Sequence, residues 1–79
     1  MDFTELRLAA RELERELGAR VNLPYLPGKT AFRDALYKKR GISEADAERL
    51  CDSLEQTKMI RFERSITEGP SWTIHPDGT

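Results

Sequence analysis

The sequence predicts an α+β fold: three helices in succession, then a two-stranded β-hairpin. Two observations carry this reading. Up to residue 57, apolar residues recur at spacings of three and four, as one face of a helix requires. After Lys58 the period changes to two, with Ile60 and Phe62 alternating with Arg61 and Glu63. A length of 79 residues supplies one small core, so 1–79 reads as a single domain.

The first helix covers 3–18. Phe3, Leu6, Ala10, Leu13 and Leu17 share one face, and Gly18 stands where a capping glycine ends a helix. At about 100° per residue, Arg7, Arg11 and Arg15 form a stripe on one flank, while Glu5, Glu12 and Glu16 form one on the other. Leu8 points away from the core between the stripes. This back is either a solvated charged surface or a homodimer surface. The homodimer would be built from Leu8, Arg7, Arg11 and Arg15, with Glu12 and Glu16 facing the arginines of a partner helix.

In the connector, 19–28, Val21, Leu23, Tyr25 and Leu26 lie among Pro24, Pro27 and Gly28. The prolines interrupt a helix or a ladder. The segment therefore reads as extended, with a short edge strand near 20–23 and its apolar side chains tucked under the core. The second helix, 29–39, buries Ala31, Phe32, Ala35 and Leu36, and Arg40 and Gly41 close it. Ser43 caps the third helix, 44–57, with Asp46 three residues later. Its buried face is Ala47, Leu50, Cys51 and Leu54. The hairpin, 59–75, turns over about five residues including Thr67, Glu68, Gly69 and Pro70. Trp72 and Ile74 then share a face. The expected core is Leu6, Leu13, Leu17, Phe32, Leu36, Leu50, Leu54, Ile60, Phe62, Trp72 and Ile74.

Composition excludes several classes. Hydrophobic residues make up 38% and charged residues 34%, too apolar for disorder and too polar for a membrane protein. The longest apolar run is Leu8-Ala9-Ala10, and the first residues lack a secretory pattern. The single cysteine, Cys51, leaves no internal disulfide and fits a reducing, cytoplasmic setting. One His and one Cys argue against a closed zinc site, and no cofactor is expected. The parts list for catalysis is short. His75 is the natural base near neutral pH, and it lies close to the end. Gly28-Lys29-Thr30 lacks the upstream glycine and the preceding strand of a phosphate loop. The domain therefore reads as a non-enzymatic recognition module.

The stretch GISEADAERLCDSLEQTKMIRFER, followed by SWTIHP, places a small residue, an apolar residue and a serine cap at Gly41, Ile42 and Ser43. A helix apolar at Ala47, Leu50 and Leu54 then runs into Met59 and Ile60, and Trp72 and Ile74 mark the last strand. In this order the chain resembles the winged-helix branch of the helix-turn-helix superfamily, over 29–76. It departs at the corner before the first wing strand, commonly Gly, where Thr57 and Lys58 stand. The resemblance implies a C-terminal two-stranded wing. In DNA-binding members it also implies a third helix in the major groove, read here at Glu44, Ala45, Asp46, Glu48 and Arg49.

Thirteen basic against fourteen acidic residues give a net charge of −1, low for a free-standing nucleic-acid binder. Glu44, Glu48, Asp52 and Glu55 align along the third helix, and carboxylates in the groove repel phosphate. The stripe is either a solvated face, an electronegative surface for a basic partner, or a groove contact rescued by basic flanks. Those flanks are Lys29, Arg33, Lys38, Lys39, Arg40, Arg61 and Arg64, which could grip phosphates or simply offset the acids. The leading expectation is a protein-interaction domain using the acidic third helix, the first helix or both, with no membrane partner. The alternative is a DNA-binding transcription regulator, which in this family is usually dimeric.

Overall fold

In the computed structural model, which describes residues 2–78, the chain runs α1 (Phe3–Leu17), β1 (Arg20–Val21), α2 (Tyr25–Arg40), α3 (Glu44–Gln56), β2 (Ile60–Ser65) and β3 (Gly69–Ile74). The fold is α+β, three helices with a three-stranded antiparallel sheet in the order β1-β3-β2. The expected two-stranded hairpin thus gains a third strand from the connector. No helix among the described residues is long and apolar enough to cross a membrane.

α2 begins a turn earlier than its periodicity suggested. Pro24 is its N-cap at φ −61°, and Pro27 lies in the first turn, where a backbone N–H has no intrahelical acceptor to lose. The amide of Gly28 donates to Pro24 O at 2.9 Å and continues the helix. The two prolines start α2 rather than block it. Leu26 is consequently carried out into solvent on its first turn, while Tyr25, partly exposed, keeps its ring against Trp72 and Phe62.

The sheet's alternation explains where β1 stops. The amide of Ile74 donates to Ala19 O at 2.9 Å, so Ile74, Trp72 and Pro70 turn their backbone groups towards β1. Pro70 has no N–H for the next rung, and the ladder ends at Val21↔Trp72. On the other side β3 pairs with β2 from Ile60↔Ile74 to Ser65↔Gly69. The connecting loop is Ile66–Glu68, shorter than expected, so Gly69 and Pro70 belong to β3. Gly69 takes φ 79°, in the left-handed region, where the chain leaves this loop and re-enters the sheet. Ser65 Oγ accepts from the amides of Thr67 and Glu68 at 3.3 and 3.2 Å.

Trp72 is fully buried at the centre. Its ring packs edge-on against Phe32 at 5.3 Å and tilted against Phe62 and Tyr25 at 5.2 and 5.3 Å. Its Nε1 has no hydrogen-bond partner among the described residues, and the group beside it is Gly28. A Cβ at Gly28 would overlap both Nε1 and Cδ1 of the indole. The glycine is therefore a close-approach residue inside α2, not a break before it. Leu6, Leu13, Leu36, Leu50, Leu54, Ile60 and Ile74 are buried as expected, joined by Ala9, Val21 and Met59. Leu17 and Phe62 sit half-buried at the margin. Phe3, at the start of the apolar face of α1, is half exposed, with the Arg7 guanidinium 5.6 Å above its ring.

The end of α3 turns into β2 through a Schellman arrangement. The amide of Met59 reaches Leu54 O at 2.9 Å and that of Lys58 reaches Glu55 O at 3.1 Å. This forces Lys58 to φ 67°, the only left-handed non-glycine among the described residues. Met59 and Leu54, the apolar residues that such caps bring together, are both buried in the core cluster.

Candidate recognition surface

The buried face of α3 is Ala47, Leu50, Cys51 and Leu54. At about 100° per residue the outward pole, opposite that face, falls on Ala45, Arg49 and Gln56, with Asp52 beside it. Glu44, Glu48 and Glu55 lie on the flank turned towards α2, and Asp52 bridges flank and pole. Arg33 and Lys29, one turn apart on α2, meet this flank. Arg33 Nη1 is 3.4 Å from Glu48 Oε1, and its Nη2 is 3.2 Å from Asp34. Lys29 Nζ lies 2.7 Å from Asp52 Oδ1 and 3.1 Å from Glu55 Oε1. The Tyr25 hydroxyl donates to both Glu55 oxygens, at 3.1 and 2.9 Å. Partial burial alone would lower the Lys29 pKa, but its bonds to the two carboxylates outweigh this and raise it. The hydrogen bond to Glu55, helped by burial, raises the Tyr25 pKa.

Glu48, Asp52 and Glu55 are thus partners in a ladder across α2 and α3, while Glu44 is exposed with no partner among the described residues. The same side chains frame an open groove of about 280 Å³ between the helices, lined by Leu26, Lys29, Thr30, Arg33, Glu48, Cys51 and Asp52. Leu26 stands 71% exposed at its rim. Cys51 is buried, and burial pushes its thiol up to about 12, so it contributes an inert apolar floor.

The cations singled out as phosphate contacts are mostly occupied. Besides Lys29 and Arg33, Lys39 pairs with Glu16 at 3.3 Å. Arg40 pairs with Glu12 at 3.0 Å and Glu5 at 3.6 Å. Arg61 donates to the carbonyls of Lys58 and Gly78 at 2.8 and 3.1 Å. Lys38 and Arg64 are exposed, without a carboxylate partner among the described residues. Arg49 pairs with Asp46 at 3.4 Å but keeps 78% of its side chain exposed.

On α1 the two flanks differ from the expected dimer geometry. Glu12 and Glu16 turn to α2, where Arg40 and Lys39 hold them, so they do not wait for the arginines of another helix. Arg11 approaches Asp77 at 3.8 Å, and Arg15 has no carboxylate partner among the described residues. Leu8 remains 49% exposed on this back. Gly28-Lys29-Thr30 lies wholly within α2 and forms no loop.

Tyr25, Leu26 and Thr30 were not anticipated at this surface. The signal was present in Pro24, a proline standing just before a helix-compatible run with a second proline in its first turn. Compared with known proteins, the chain matches no family model, no curated protein and no solved structure.

Proposed function

We propose that this chain is a non-enzymatic recognition domain of winged-helix type that docks onto a protein surface rather than into duplex DNA. Its element order and its three-stranded sheet are compatible with a winged-helix arrangement. The observation that carries the choice of partner is the ladder of Lys29 and Arg33 with Glu48, Asp52 and Glu55. A duplex gripped beside α3 would have to take these cations from their carboxylates. Each carboxylate left behind would then face phosphate, where the field opposes it. Lys39 and Arg40 are committed in the same way to α1. A ladder compensated in this way also removes the reason to expect a strongly basic partner. What the surface offers is the groove between α2 and α3 with exposed Leu26 at its rim, a feature read by shape and apolar contact.

One observation favours the DNA-binding regulator as a second reading. The pole of α3 carries Ala45, Arg49 and Gln56, and is less acidic than the stripe at its flank. One titration separates the two. Wild type and a Glu48→Gln, Asp52→Asn variant are titrated against duplex DNA fragments at low and at physiological salt. The protein-docking reading expects weak, sequence-independent binding by wild type that disappears at physiological salt. The variant, which takes one carboxylate partner from each of Arg33 and Lys29 and two negative charges from the α3 flank, binds several-fold more tightly. Nanomolar, sequence-specific binding by wild type at physiological salt overturns it.

A further inference from the structure

β2 is an edge of the sheet, paired with β3 on one side only. Because Ile74 and Trp72 turn their backbone groups to β1, the rungs Ile60↔Ile74, Phe62↔Trp72 and Arg64↔Pro70 are the non-bonded ones between β2 and β3. The amides and carbonyls of Ile60, Phe62 and Arg64 therefore point outwards from the edge. Natural edges are usually blunted by charged side chains, lysine above all, by proline, by a bulge or by extreme shortness, and of these β2 has only the charges of Arg61, Glu63 and Arg64. β2 has six residues, none of them proline or lysine, in unbroken register.

We propose that β2 pairs antiparallel with β2 of a second copy of this chain, Phe62 opposite Phe62, joining two sheets into one. Three features of the sequence select this register. It sets Ile60 opposite Arg64 and Phe62 opposite Phe62, so every outward-pointing group meets another outward-pointing group. It places Arg61 of each copy opposite Glu63 of the other, at the close non-bonded positions where opposite charges attract. Sliding one strand by two residues in either direction keeps the hydrogen bonds but sets Arg61 against Arg61 or Glu63 against Glu63, which is unfavourable. Sliding by one residue faces outward groups with inward ones.

The side chains are prepared for this pairing. Glu63 is exposed with no partner among the described residues. Arg61 is held by its Nε and Nη2 on the carbonyls of Lys58 and Gly78, which leaves Nη1 to donate. Phe62 is half-buried against Tyr25 and Trp72, and its remaining face would be covered by the other Phe62. This surface differs from the α1 back, whose acids are already paired within the chain. It is also independent of the groove between α2 and α3, so the DNA titration does not bear on it.

Sedimentation velocity across a concentration series tests the proposal, with circular dichroism to verify that each variant is folded. Wild type is expected to dimerise in the micromolar to submillimolar range. Arg64→Pro removes an outward N–H without touching the β3 ladder and weakens association by about tenfold or more. Glu63→Arg alone and Arg61→Glu alone set like charges opposite and behave as monomers. A mixture of the two forms a heterodimer, because a strand with acids at both positions then faces a strand with arginines at both. Should Arg61→Glu fail to fold for want of its carbonyl contacts, hydrogen exchange of wild type decides instead. The amides of Ile60, Phe62 and Arg64 gain protection as concentration rises, and those of Arg61 and Glu63 do not. A wild type monomeric up to about 1 mM, the weak end of measurable association, overturns the proposal. So does a dimer that Arg64→Pro and Glu63→Arg leave unchanged, or protection that does not depend on concentration.

Discussion

Replacing Gly28 with alanine sets helix propensity against packing at a single atom. Gly28 lies within α2, where alanine should stabilise the helix by about 0.8–1 kcal/mol. The added methyl, however, would occupy the space of Trp72 Nε1 and Cδ1 and would come within 3.2 Å of Cε2. The indole has nowhere to retreat, being fully buried and enclosed by Phe32, Phe62 and Tyr25 at 5.2–5.3 Å. Overpacking a closed core costs about 1–3 kcal/mol and sometimes more. An overlap with two ring atoms belongs at or beyond the top of that range. Subtracting the propensity gain leaves a net loss of about 2 kcal/mol, or a fall in Tm of about 10 °C for a domain this size. Urea and thermal unfolding followed by far-UV circular dichroism and Trp72 fluorescence would measure it. In a Trp72→Phe background the atom at the Nε1 position is gone and the smaller ring can shift, so the loss from Gly28→Ala should shrink. A Gly28→Ala protein as stable as wild type, or a loss unchanged by Trp72→Phe, would show that the α2–Trp72 contact is not the tight one described.

Two further outcomes follow from local geometry. Lys58 holds the left-handed position of the α3 cap at φ 67°, so Lys58→Gly should raise stability by about 0.5–1 kcal/mol in denaturant titrations, with Gly41→Ala at φ 63° costing a similar amount as its converse. The Cys51 thiol, raised by burial from 9.0 to about 12, keeps its proton in the folded state while the unfolded chain loses it above about pH 9. Stability should therefore fall as pH rises from 9 towards 12, and Cys51→Ala should remove part of that slope in unfolding titrations. The native thiol should also resist a thiol reagent at pH 8 on the timescale that labels the unfolded chain at once.

Most of the fold was legible because its signals are local. The three- and four-residue spacing, the Ser43 cap and the change to period two each depend on neighbours in sequence. Ser43 Oγ does accept from the Asp46 amide, at 3.1 Å. Two features depended on more than their neighbours in sequence and were misread. Pro24 and Pro27 looked like breakers, because only the position of a proline within a helix decides whether its missing N–H matters. Gly28 looked like punctuation, because nothing in its neighbourhood reveals that an indole some forty residues later needs its space. The short edge strand near 20–23, by contrast, was legible, and β3 supplies its rung at Val21↔Trp72. At the surface, helix angles correctly aligned Glu44, Glu48, Asp52 and Glu55. They could not show which way that line faces, since this depends on where α2 crosses α3.

That direction decides what the charges do. Each exposed ion pair contributes at most about 1 kcal/mol, so the ladder of Lys29 and Arg33 with Glu48, Asp52 and Glu55 is not what holds α2 to α3; Phe32, Leu36, Leu50 and Leu54 do that. Its larger effect is on the field outside the molecule. Thirteen cations and fourteen anions could have been sorted into opposing patches at the same net charge. Here they alternate across the α2–α3 and α1–α2 seams, and their fields cancel within about one Debye length, roughly 8–10 Å. On the proposed reading, a partner approaching the groove meets cations that are already paired with carboxylates. On that reading discrimination comes at contact, from fit around Leu26 and from hydrogen bonds to side chains already positioned by their neighbours. A duplex selects its proteins first by long-range field and only afterwards by groove contacts, and pairing these cations with carboxylates weakens the first of those two steps.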